Sequence, residues 1–133
     1  MGQTILRLTP VIIIMGVIFF LSHQPGELFT PYAFHWADKL AHLIVYAVLC
    51  MTAIYAFPGR YRRSAKGMVI AVSIVFCLVY GVSDEFHQSF IPGRYPSMSD
   101  VAADVIGASL ACMVWLWWSK SDHTGHLSKR AVK

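Results

Sequence analysis

Four strongly apolar stretches alternate with short polar segments along the chain, and their spacing predicts four membrane-spanning helices. The first covers residues 8–22 and contains the run VIIIMGVIFFL behind a single Arg7. Extended back to residue 4 it reaches the length that a helix needs to cross a hydrocarbon core of about 30 Å. Pro10 then falls in the first turns, where a missing backbone N–H is tolerated. So short a run also fits a cleaved signal sequence, but no small-residue cleavage site follows it, and a retained helix is expected. The second stretch, residues 38–57, ends at Pro58-Gly59; the third covers residues 68–90 and the fourth residues 98–118. Ser97, with Asp100 three positions on, predicts a capping-box start for the last helix.

Composition agrees with that pattern. The chain is 56% hydrophobic and only 14% charged, against about 25% charged for an ordinary soluble protein. One all-α domain over residues 1–119 is expected, a bundle of four transmembrane helices, followed by a polar, basic tail (120–133) without fixed structure of its own. Cys50, Cys77 and Cys112 each lie inside an apolar run, which suits packing residues better than a disulfide framework. Residues 23–37 read as a boundary loop in which Tyr32, Phe34 and Trp36 anchor the interface, while Trp115, Trp117 and Trp118 form a belt at the end of the last helix.

Charge fixes an expected orientation. With four spans, nine of the eleven Lys and Arg residues fall on the side of the two termini, with Asp122 the only acid among the seven on that side. The segment GRYRRSAKG supplies four of those cations and no acid. By the positive-inside rule both termini are expected in the cytoplasm, N-in and C-in. The other face then carries Lys39, Arg94 and the remaining acids, Glu27 among them. Basic arms of this kind suit anionic lipid head groups, and no basic-aromatic motif points to nucleic acid.

Helical spacing shows which polar groups converge. On the second stretch Asp38, Lys39, His42 and Tyr46 share one broad face. On the third, Gly81, Asp84, His87 and Gln88 share a face, with Glu85 turned about 100° from Asp84. On the fourth, Asp100, Asp104, Gly107 and Ala111 form a stripe beside Ala103-x-x-x-Gly107-x-x-x-Ala111, small residues that let helix backbones approach in lipid. A charged group in hydrocarbon costs about 2.5–3.5 kcal/mol even on the lenient insertion scale, so these residues mark a functional site. Asp38, His42, Asp84, Glu85 and Asp104 are the candidate catalytic groups, and Lys39, His87, Gln88, Arg94 and Asp100 the candidate ligand-binding groups. Asp38 with His42, and Asp84 with His87, are carboxylate–imidazole pairs at helical spacing, so a divalent metal is one option for a cofactor, though no HExxH or paired-cysteine pattern accompanies them. Pro92-Gly93 makes the turn after the third stretch and aims Arg94 back at the acids. His23 and His35 are expected to be solvated, as are His123 and His126 in the tail.

The set Asp38-Lys39-x-x-His42-x-x-x-Tyr46, Asp84-Glu85-x-His87-Gln88-x-Phe90-x-Pro92-Gly93-Arg94 and Asp100-Val101-x-x-Asp104-x-x-Gly107 resembles the VanZ-like family of small bacterial membrane proteins, as does Ser22-x-Gln24-Pro25. The resemblance spans residues 22–111. It implies a four-helix bundle in the bacterial cytoplasmic membrane and a link to glycopeptide resistance, to teicoplanin in particular, without implying a catalytic mechanism. Two readings of the site follow. In one it holds a lipid head group, a lipid-linked cell-wall precursor or a glycopeptide. In the other it is an enzyme, metal-assisted or not, that hydrolyses or transfers a phosphoryl or acyl group of an envelope lipid, with Glu85 as general base and Lys39 and Arg94 holding the head group. A purely structural ion network fits less well, because replacing a buried network by apolar residues is often neutral or stabilising. Oligomeric state is left open.

Overall fold

The computed structural model describes residues 2–26 and 35–128, all of whose regular structure is helical. Tyr32, Phe34 and Glu27 lie outside the described residues, as do the side chains of His35, Asp122, His123 and His126 and residues 129–133. Helices α1 (Gly2–Ser22), α2 (His35–Ala56), α4 (Lys66–Gln88) and α5 (Met98–Ser128) are joined by loops and by one short helix, α3 (Gly59–Ser64). Four segments are long and apolar enough to cross a membrane: Gly2–Ser22, Trp36–Ala56, Lys66–Gln88 and Met98–Lys120. At 1.5 Å per residue, 21 to 23 residues match a hydrocarbon core of about 30 Å.

Several boundaries differ from the sequence expectation for identifiable reasons. The basic segment expected as a loop forms α3, started by Pro58, whose carbonyl accepts the N–H groups of Tyr61 and Arg62. Helix α5 continues past Trp118 to Ser128, because nothing in WWSKSDHTGHLS breaks a helix before that point except a tolerated Gly125. Ser97 does cap α5, its Oγ accepting the Ser99 N–H at 3.3 Å. The reciprocal half of the expected box is made elsewhere: the Ser97 N–H donates to Glu85 Oε2 of α4 at 2.6 Å, while Asp100 takes Lys39. The start of α5 is thus tied to the ends of two other helices.

Helix α5 packs along α2 and against α4, and α1 lies mainly on α2. Tyr46, Leu49, Cys50 and Ile54 of α2 form the core with Cys77 of α4 and Ala108, Ala111 and Cys112 of α5. All three cysteines are buried free thiols, and the Sγ atoms of Cys50 and Cys112 are 3.5 Å apart. The predicted small-residue stripe does its work at Gly107, where a Cβ would overlap the Leu43 carbonyl of α2. Tyr80 Oη of α4 donates to the Met15 carbonyl of α1 at 2.7 Å. The outer surface is the reverse of a water-soluble one: Ile12, Phe20, Ile44, Val79, Phe86 and Met113 are exposed along the helices. Such a continuous apolar exterior is stable where lipid is the solvent.

Candidate functional site

The end of α1, the start of α2, the end of α4 and the start of α5 meet at one end of the bundle, the end opposite α3. There the helices turn a set of polar side chains inward. His42, Asp84, Glu85, Gln88, Asp100 and Asp104 are all buried, and Asp104 has no exposed surface. Both Asp84 and Glu85 therefore face protein, although they are rotated apart on α4.

The pairing runs between helices. His42 of α2 donates its Nδ1–H to Asp104 Oδ1 of α5 at 2.9 Å, and its Nε2 lies 4.0 Å from Glu85 Oε1 of α4. Asp84 Oδ2 accepts the Ser22 hydroxyl at 2.9 Å and the Gln88 amide at 3.2 Å. Lys39 Nζ donates to Asp100 Oδ1 at 2.7 Å and to Ser99 Oγ. Arg94 does reach back from the Pro92-Gly93 turn, where Gly93 has φ 74° as the turn requires. Its guanidinium donates to the Leu21 and Gln24 carbonyls, both at 3.2 Å, and its Nη1 lies 3.9 Å from Asp38 Oδ1.

Two expected carboxylate–imidazole pairs are replaced by other contacts. Asp38 stands at the rim, its side chain 54% exposed beside Arg94, and Asp104 takes the imidazole expected to meet it. His87 turns away from Asp84 to the His23 ring, with Nε2 and Nδ1 3.2 Å apart and Phe19 against its face. His23 is exposed, as expected, with its ring stacked on that of His87. Spacing along one helix places residues on a face, but it does not show which neighbouring helix supplies the partner.

Three buried oxygens in this region have no hydrogen-bond partner among the described residues: Glu85 Oε1, Asp104 Oδ2 and Tyr46 Oη. Tyr46, on the same face of α2 as His42, stacks below it with its hydroxyl fully buried. Ser22 was missed as a site residue. Its signal was present, since it ends the first helix in Ser22-x-Gln24-Pro25, a polar hydroxyl directly after an apolar run. Charges are unbalanced as well, with five carboxylates (Asp38, Asp84, Glu85, Asp100, Asp104) facing Lys39, Arg94 and one imidazole. Buried anions without partners are costly, so the cluster attracts cations and hydrogen-bond donors.

Comparison with known proteins adds to this geometry. The family model described as VanZ/LLP1 matches residues 8–119, which include all four apolar helices and every residue of the cluster. An uncharacterized protein of fission yeast (Schizosaccharomyces pombe), C11E3.10, is 30% identical over 84 residues, which are 62% of this chain and 49% of that protein. The chain thus spans about half the length of the curated relative it matches. No solved structure matches the chain.

Proposed function

The chain belongs to the VanZ/LLP1 family, and from that premise we propose that it is a multi-pass membrane protein whose buried polar cluster holds the head group of a membrane-associated molecule. The cluster opens on the outer face in this reading, because the positive-inside rule puts the Arg-rich α3 and both termini in the cytoplasm. The membrane is the bacterial cytoplasmic membrane, the setting that the family resemblance implies.

One observation carries the reading: one buried carboxylate oxygen of Glu85 and one of Asp104 accept no hydrogen bond from the described residues. A structural network would have closed on itself, since an unpaired buried acceptor loses its hydration without return. The same observation bears on the ligand class. Lys39 is held by Asp100 and Arg94 by the α1 carbonyls and Asp38. What the site offers an incoming group is acceptor oxygen, which suits amine or hydroxyl donors rather than a bare phosphate. An aminated or sugar-bearing lipid head group fits best. The similar fission yeast protein supports this choice, because lipid head groups are common to bacterial and fungal membranes. A lipid-linked cell-wall precursor or a glycopeptide of the teicoplanin type presents the same donors, and would be the specialised form of the same binding.

Native mass spectrometry of the full chain released from detergent tests this. The wild type is expected to retain phosphatidylethanolamine in preference to phosphatidylglycerol, and Glu85→Gln and Asp104→Asn to lose that preference. Equal retention by all three proteins would remove the cluster from the binding site.

A second reading, turnover of a phosphoryl or acyl group, is favoured by the buried Glu85 Oε1, which accepts no hydrogen bond from the described residues and so is free to take a proton as a general base. Release of a water-soluble product from such a lipid by the wild type and not by Glu85→Gln would establish it.

A further inference from the structure

His42 presents one nitrogen to a carboxylate and leaves the other uncommitted. Its Nδ1 lies 2.9 Å from Asp104 Oδ1, which orients the ring, and the neutral imidazole held in this way would present the lone pair of Nε2. A carboxylate behind a histidine in this way is the arrangement that orients and strengthens metal-binding imidazoles. Glu85 Oε1 stands 4.0 Å from Nε2, and one potential ligand atom each of His42, Asp84 and Glu85 lie within 4.8 Å of one another.

The geometry points to a divalent transition-metal site formed by His42 Nε2, Glu85 Oε1 and an Asp84 oxygen, with Asp104 as the positioning residue behind the imidazole. Four independent features support it. Glu85 Oε1 is buried and accepts no hydrogen bond from the described residues, and the Glu85 side chain is only 7% exposed. The 4.0 Å between Nε2 and Oε1 is too long for a hydrogen bond, and a closure of about 0.5 Å would bring the two atoms to the separation of two ligands on one tetrahedral ion. Ser22 and Gln88 both address Asp84 Oδ2, so the Asp84 side chain is fixed beside His42 and Glu85. Finally, a divalent ion supplies the positive charge that the acid excess lacks.

One nitrogen and two carboxylates suit Zn²⁺ or Mn²⁺. They offer too few oxygens for Ca²⁺, and the imidazole argues against Mg²⁺. Three protein ligands leave coordination positions open to a head-group amine, hydroxyl or phosphoryl oxygen. A second possible trio, Asp38, His42 and Asp100, competes less well, because Lys39 already holds Asp100 and Asp38 is at the exposed rim beside Arg94.

The inference rests on the reading of this cluster as a binding site, but the ion alone decides it, so its failure leaves head-group binding to be judged by lipid retention. The full chain, stripped with a chelator in detergent, is titrated with Zn²⁺ by calorimetry, and Co²⁺ is added in parallel for its visible spectrum. About one ion per chain is expected. Glu85→Gln should weaken binding at least 100-fold, His42→Ala should abolish the nitrogen-ligand signature of Co²⁺, and Asp104→Asn should weaken binding by about 10–100-fold. Asp38→Asn should bind as the wild type does. Circular dichroism and size exclusion establish that each variant is folded, and should His42→Ala fail that check, the isosteric Glu85→Gln decides. No saturable binding by the folded wild type would overturn the proposal, as would binding lost in Asp38→Asn and kept in Glu85→Gln.

Discussion

Arg94 shows how the surroundings of a side chain set its role. Its donors go to the carbonyls of Leu21 and Gln24 at the end of α1, where a cation also meets the negative end of the helix dipole. This holds α1 against the α4–α5 turn, and the Gly26 N–H adds a bond to the Pro92 carbonyl at 3.2 Å. Arg94→Gln is therefore expected to lower stability by about 1.5–3 kcal/mol, the scale of a hydrogen bond to a charged group. Unfolding of the variant by a denaturing detergent, followed by circular dichroism, measures this, and a transition matching the wild type would contradict it. At this scale the sequence revealed most of the polar side chains that the helices bury together, since intramembrane Asp, Glu and His stand out against apolar runs. It did not reveal the partners. His42 meets Asp104 and Asp84 meets Ser22, each across 62 positions of chain, and such contacts depend on how helices rotate about one another.

The helices take their mutual positions from small residues and shared caps. Gly107 lets α5 approach the α2 backbone at Leu43, and Gly81 makes room on α4 for the Asp104 carboxylate, whose Oδ2 would be 2.5 Å from an added Cβ. Gly107→Ala should separate α2 from α5 and cost about 1–3 kcal/mol, as overpacking of a tight contact does. Thermal melting in detergent would register that as a lower midpoint, and an unchanged midpoint would mean that the contact is not tight. The four spans and the small-residue stripe were legible because hydrophobic length and small-xxx-small spacing are strong signals. Helix α3 was not, since a short basic segment has no apolar face to announce it. The cap of α5 was only half legible, because Glu85 enters it from another helix.

For the molecule as a whole, an apolar exterior, a polar cluster at one end and a basic segment at the other give the bundle a direction. Its three native cysteines are buried, so an impermeant thiol reagent applied to intact cells reads only introduced ones. Pro92→Cys should be labelled from outside and Arg62→Cys protected; the reverse pattern would invert the orientation. Whether the cluster exists to hold a ligand is settled most directly by one measurement, the melting temperature of wild type and Glu85→Gln in micelles with and without phosphatidylethanolamine. Binding to the folded state raises the wild-type midpoint. Glu85→Gln removes a buried charge whose Oε1 accepts no hydrogen bond from the described residues, and its amide oxygen can still accept the Ser97 N–H, so it should start no lower than the wild type and gain nothing from the lipid. A variant that melts lower than the wild type, yet shows the same lipid-induced rise, would instead make the cluster a structural ion network.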